Sequence, residues 1–105
     1  MTETQSVYIV AGTRTAIGDF GGALKDVSPA QLGTHVITEA VKRAGLSADD
    51  VQHVVLGQVM PTRAKDAYLA RVAAVNAGVP IETPALTLNR LCGSGVQAII
   101  SAAQG

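Results

Sequence analysis

Pro84-Ala85-Leu86-Thr87-Leu88-Asn89-Arg90-Leu91-Cys92-Gly93-Ser94-Gly95 is the stretch whose reading decides the fold. A short apolar run, Pro84 to Leu88, leads into a turn containing glycine. An Ala- and Ile-rich segment, Val96-Gln97-Ala98-Ile99-Ile100-Ser101-Ala102-Ala103, follows. That order predicts a strand over Ala85 to Asn89, a tight turn, and a helix from about Gly93 to Gln104. Cys92, the single cysteine of the chain, falls at or just before the first turn of that helix. The unpaired N–H groups of a first turn favour negative charge, and so favour thiolate over thiol. Small residues after it leave room for a substrate to approach. The pattern is that of a nucleophilic cysteine. The plainer reading is a buried structural cysteine, since free cysteine is among the most buried residue types.

Working outward, Asp66 to Ala77 reads as a helix, with Gly78 at its end and Pro80 as a stop. Met60 to Lys65 is a loop opened by Pro61. Val51 to Val59 gives a strand centred on Val54-Val55-Leu56, and Ser47 to Asp50 is a capping-box pattern for a single turn. Further upstream a helix is clearly signalled. Ser28 is the N-cap, Pro29 sits at the first helical position, and Gln31 completes a capping box. Val27 and Leu32 suit a hydrophobic staple. Leu32, Val36, Ile37, Ala40, Val41 and Ala44 form an apolar face. Lys42 and Arg43 complement the C-terminal dipole before Gly45. Val7 to Ala11 reads as a first, buried strand closed by Gly12, and Thr13 to Val27 as a glycine-rich loop. The order β-α-β-α-β-α predicts an α/β fold: a mostly parallel sheet, right-handed crossovers, and helices on both faces.

Composition narrows the class. At 105 residues the chain is one domain or part of one. It is 48% apolar but only 3% aromatic, so its core must use Ala, Val, Leu and Ile, which suits close packing of helices on a sheet. Eight acids balance eight bases with no basic cluster, which argues against a nucleic-acid partner. One cysteine allows no internal disulfide and no Cys-based zinc cluster, and fits a reducing compartment. Met1 to Ser6 carries neither a secretory nor a mitochondrial presequence pattern. No apolar run approaches the roughly 20 residues needed to span a bilayer. The expectation is a soluble, cytoplasmic protein with no membrane and no metal.

Leu91-Cys92-Gly93-Ser94-Gly95 resembles the motif around the acyl-accepting cysteine of thiolases, the acyl-CoA acyltransferases that make or cleave 3-ketoacyl-CoA. Val7-Tyr8-Ile9-Val10-Ala11-Gly12-Thr13-Arg14-Thr15-Ala16-Ile17-Gly18, with Phe20-Gly21-Gly22, is similar to that family's first strand and loop. So are Val54-Val55-Leu56-Gly57-Gln58-Val59, Ala70-Arg71-Val72-Ala73-Ala74 and Ala77-Gly78-Val79-Pro80 in the middle of the chain. The resemblance implies that residues 1–105 are a partial N-terminal thiolase domain, without the loop domain and the C-terminal domain. It implies Cys92 as the nucleophile that holds the acyl group as a thioester, with its own N–H contributing to an oxyanion hole. It implies coenzyme A thioesters as substrates, no permanently bound cofactor, and a homodimer or homotetramer for the whole protein. The Cys-Gly-Ser-Gly form resembles the short-chain group, which points to acetyl-CoA and short-chain 3-ketoacyl-CoA. Ketoacyl synthases share the fold, but a hydroxyl residue usually follows their cysteine, whereas Gly93 follows here.

Two other readings stand beside these. Gly93-Ser94-Gly95-Val96-Gln97-Ala98 fits the G-x-G-x-x-G/A dinucleotide fingerprint. That fingerprint normally occupies the first strand–helix turn, this one lies in the third, and the reading leaves Cys92 unexplained. A non-catalytic, thiolase-like interaction or structural fragment is the other alternative. His35 lies off the apolar helix face and His53 at a strand start, so both read as surface residues. Arg71 reads as pairing with a loop carboxylate or covering its helix, Tyr68 and Phe20 as packing, and Asp49-Asp50 as a solvated cap.

The Gly-His-Pro, second Cys-x-Gly and Asn-Glu-Ala-Phe motifs that complete the thiolase site are not in this sequence. The 105 residues alone are therefore expected to be inactive. Leu86, Leu88, Ile99 and Ile100 are expected to expose apolar surface.

Overall fold

The computed structural model describes residues 5–105. Three helices and two strands follow in the order α1 (Pro29–Arg43), β1 (Val54–Gly57), α2 (Leu69–Asn76), β2 (Ala85–Leu88) and α3 (Ser94–Gln104). Short 3₁₀ turns precede β1 (Ala48–Asp50), α2 (Ala64–Tyr68) and α3 (Leu91–Gly93).

The local signals form as their chemistry requires. The Ser28 hydroxyl accepts the Gln31 N–H at 3.1 Å, and the Gln31 side chain accepts the Ser28 N–H at 2.8 Å. Two otherwise orphaned donors of the first turn are thus satisfied. Ser47 and Asp50 repeat the reciprocal cap on a single turn. α1 and α2 both end on a left-handed glycine, Gly45 (φ 72°) and Gly78 (φ 85°). In each case the next residue's N–H reaches back to the helix: Leu46 to the Val41 carbonyl at 3.2 Å, and Val79 to the Ala74 carbonyl at 3.0 Å. This is the double-bonded stop that satisfies the last carbonyls. After α2 it also buries Val79 against Ala74.

β1 and β2 pair in parallel, with Val54 opposite Ala85 and Gly57 opposite Leu88. Alternation divides the residues of β1 between two faces. Val54 and Leu56 face α2, and join Ala70, Ala74, Val79, Ile37, Val51 and Ala85 in the core. α1 packs against α2, so close that a Cβ on Gly33 would stand 3.1 Å from the Ala73 Cβ. Gly57 faces the other way, against the start of α3. The result is the expected α/β arrangement, with parallel strands and helices on both faces. Alanines Ala70, Ala73 and Ala74 are buried, so α2 approaches the sheet without large side chains.

The structure departs from the sequence reading in several places. Val7 to Ala11 forms no strand among the described residues. Val7 to Val10 are exposed, Ile9 by 83%, rather than buried. A strand is completed by its neighbour's hydrogen bonds, and among the described residues β1 is paired only with β2. The strand expected over Val51 to Val59 spans only Val54–Gly57; before its start the Val51 carbonyl is taken by the Thr83 hydroxyl at 3.0 Å. The helix expected from Asp66 starts as α2 only at Leu69, since Tyr68 (φ −115°, ψ 30°) interrupts it. Phe20 and Tyr68, expected to pack, are both exposed. Leu86, Ile99 and Ile100 are exposed as expected, while Leu88 is half-buried.

Candidate active site

The site is built where β2 runs into α3. Asn89 and Arg90 follow the strand, the 3₁₀ turn Leu91–Gly93 carries Cys92, and α3 begins at Ser94. Cys92 is a free, exposed cysteine at the foot of α3. This position agrees with the strand–turn–helix reading, and among the described residues nothing buries the thiol. Among the described residues, no protein acceptor receives the Cys92 N–H. A thiol and an uncommitted N–H therefore stand together at one exposed turn.

Side chains on either side of Cys92 hold that turn. The Leu91 N–H donates to Asn89 Oδ1 at 2.9 Å, and Asn89 Nδ2 donates to the Val59 carbonyl at 3.1 Å. The Ser94 hydroxyl donates to the Leu91 carbonyl at 2.7 Å and accepts the Arg90 N–H at 2.8 Å. The Arg90 guanidinium reaches Gln97 on α3 at 3.1 Å. Gly57 sets how closely α3 begins to the sheet. A Cβ there would lie 2.7 Å from the Ser94 carbonyl oxygen. Gly95, by contrast, has open space where a side chain would stand.

A second layer lies beneath, and the sequence reading gave it no role. Asp66 is 1% exposed. Its Oδ2 accepts the Thr62 N–H (2.8 Å), the Thr62 hydroxyl (2.9 Å) and the Arg63 N–H (2.8 Å). Its carbonyl accepts Gln58 Nε2 at 2.6 Å. Gln58 adjoins Val59, whose carbonyl holds Asn89. The Asp66 loop is thus linked by hydrogen bonds to the Cys92 turn. Arg63, three residues before this acid, is not a capping residue type, so the sequence carries no capping-box signal here.

Burial alone would raise the Asp66 carboxyl. The Thr62 N–H and hydroxyl, the Arg63 N–H and the Arg63 charge outweigh it and hold the group below its ordinary value. A depressed carboxylate contributes stability that is present above its unfolded pKa and is lost as pH falls through the folded one. Stability should therefore decline on acidification through and below the ordinary carboxylate range. Asp66→Asn should be less stable at neutral pH and should flatten that acid limb. Urea unfolding of both proteins across pH checks this; parallel profiles would refute it.

The remaining candidates lie apart from the turn or carry no role. His35 is exposed on α1, and His53 is half-buried just before β1. Arg71 binds the Ile81 carbonyl at 3.2 Å, not a loop carboxylate. Asp50 serves its own cap. No group of metal-ligating side chains occurs among the described residues. No helix there is long and apolar enough to cross a membrane.

Residues 7–105 match the family model described as thiolase, N-terminal domain. The chain is 64% identical over 101 residues to the beta-ketothiolase BktB of Cupriavidus necator, covering 96% of this chain and 26% of that protein. It is 42% identical to the mitochondrial 3-ketoacyl-CoA thiolase of Bos taurus over 104 residues, 99% of this chain and 26% of that one. Its fold matches the crystal structure of human mitochondrial 3-ketoacyl-CoA thiolase in complex with CoA. There the TM-score is 0.88 at 41% identity, over 90% of this chain and 24% of that one. The Bacillus anthracis acetyl-CoA acetyltransferase structure matches with a TM-score of 0.84 at 47% identity, again over 90% and 24%. The chain spans about a quarter of the length of the curated relatives it matches. Nothing in these matches favours the dinucleotide-binding alternative.

Proposed function

From a chain that belongs to the thiolase family, we propose that the whole protein is an acyl-CoA acyltransferase in which Cys92 is the acyl acceptor. The Cys92 thiolate attacks the carbonyl carbon of an acyl-CoA thioester. The C–S bond to the enzyme forms, the carbonyl oxygen takes the negative charge, and the bond to CoA breaks as that oxygen reforms its double bond. CoA leaves as its thiolate and is protonated. The acyl group then passes to a second nucleophile: the α-carbon of another acyl-CoA in condensation, or the thiol of CoA in thiolysis. The uncommitted Cys92 N–H supplies one donor to the oxyanion, which is where a preorganised dipole contributes most.

The observation that carries this reading is the exposed Cys92 thiol on a clamped turn, inside the segment that matches the N-terminal thiolase domain. Residues 1–105 are then the opening part of that domain. The groups that deprotonate the thiol and the substrate α-carbon come from outside these residues. Short acyl chains, with acetyl-CoA and short-chain 3-ketoacyl-CoA as substrates, are supported by the Cys-Gly-Ser-Gly form and by relatives named beta-ketothiolase and acetyl-CoA acetyltransferase. No bound cofactor is required by this chemistry. A homodimeric or homotetrameric assembly accords with the exposed Leu86, Ile99 and Ile100. A cytoplasmic setting suits a free thiol, although named relatives also include mitochondrial enzymes.

Brief incubation of the whole protein with acetyl-CoA, followed by peptide mass spectrometry, tests the assignment. The acyl group should be found on the Cys92 peptide. An adduct elsewhere, or none under turnover, would sink it. The isolated 105-residue chain should show no thiolase turnover. Cys92-dependent cleavage of acetoacetyl-CoA by that chain, well above the rate of a free thiol, would show that the site needs nothing more.

A further inference from the structure

Leu91, the residue before Cys92, has a φ of 49°. This is the left-handed region, unfavourable for a leucine and maintained only where the surroundings impose it. Among the described residues burial does not impose it, because Leu91 is 66% exposed. Hydrogen bonds do. Asn89 Oδ1 accepts the Leu91 N–H at 2.9 Å, and the Ser94 hydroxyl donates to the Leu91 carbonyl at 2.7 Å. Both side chains are themselves anchored: Asn89 to the Val59 carbonyl two residues beyond β1, and Ser94 to the Arg90 N–H. Ser94 is also buried, 5% exposed, against Gly57.

Resting on the reading of Cys92 as acyl acceptor, we propose that Asn89 and Ser94 are positioning residues that lock Leu91 in its left-handed conformation and so aim the Cys92 thiol and N–H together. A return of Leu91 to the right-handed region would swing the Leu91–Cys92 peptide and the cysteine side chain away as one unit. Neither residue need touch substrate for this. Each acts through Leu91.

The test is a pair of double-mutant cycles in the whole protein, read as kcat and KM with acetoacetyl-CoA and CoA. Ser94→Ala and Asn89→Ala should each lower kcat by about a hundredfold, the scale of a misplaced reacting group. KM should move little, because ground-state binding is untouched. Leu91→Gly provides the discriminating readout. Glycine enters the left-handed region without penalty, so the Leu91→Gly background needs the clamp far less. There the loss caused by Ser94→Ala or Asn89→Ala should shrink to a few-fold. A merely structural contribution would instead multiply independently through the cycle. Asn89 lies on the exposed turn, so its cycle remains informative if the buried Ser94→Ala protein does not fold. Multiplicative losses, or wild-type kcat in both single variants while Cys92→Ser is inactive, would overturn the positioning role alone. Full turnover by Cys92→Ser would overturn the acyl-acceptor reading beneath it.

Discussion

Cys92→Ser should abolish nearly all acyl transfer in the whole protein, by at least about a thousandfold, or ~4 kcal/mol of barrier. A cysteine thiol has an accessible anion near neutral pH and is intrinsically nucleophilic, whereas a serine hydroxyl needs a strong base beside it. Cys92 is exposed, and among the described residues its side chain makes no hydrogen bond that the fold depends on. Stability should therefore change by no more than about 0.5 kcal/mol, as for an ordinary surface substitution. Steady-state turnover and urea unfolding, measured on the same preparations, separate the two effects. A variant that loses activity and unfolds early would point to a structural cysteine. One that stays active would remove Cys92 from the chemistry.

Gly57→Ala is expected to have the next largest effect, although Gly57 touches no substrate. An added Cβ would lie 2.7 Å from the Ser94 carbonyl oxygen, 2.8 Å from its carbonyl carbon and 2.9 Å from its Cβ. Two of those atoms are backbone, so no flexible side chain can yield. Either β1 or the start of α3 must move. Overpacking of this kind costs about 1–3 kcal/mol. The displacement falls on Ser94, whose hydroxyl holds the Leu91 carbonyl next to Cys92. Acylation should therefore slow by about a hundredfold, in keeping with a displacement near 1 Å. Gly95→Ala is the control for stability, because nothing lies within 4 Å of a Cβ at that position. Urea midpoints for the two variants and the acylation rate of Gly57→Ala check this. A Gly57→Ala protein with unchanged midpoint and rate would show that the close approach relaxes freely.

The parts legible in the sequence are those whose physics closes within a few residues. Ser28 and Gln31 exchange bonds across one helical turn, as Ser47 and Asp50 do, so their caps could be read directly. Gly45 and Gly78 stop their helices for equally local reasons. The parallel pairing of β1 and β2 followed from two apolar runs separated by a helix. Cys92 at the foot of α3 followed from strand, turn and helix signals in succession.

What tertiary structure alone decided is non-local. The apolar run from Val7 to Val10 has the composition of a strand, but composition supplies no pairing partner, and the run stays exposed here. Asp66 reads only as a helix-start acid until Gln58, eight positions earlier, closes on its carbonyl and ties the loop to the segment after β1. Gly57 is one glycine of 11 until α3 is seen against β1. Leu91 gives no sign of a left-handed backbone, because leucine does not favour one. Asn89 and Ser94 impose it, and Asn89 can do so only because Val59, thirty positions earlier in the chain, lies beside it across the parallel pair. Which residue carries the thiol, and on what kind of turn, is written in local signals. The direction in which that thiol points was decided by contacts between segments far apart in the chain, whose energies exist only once the sheet and its helices have come together.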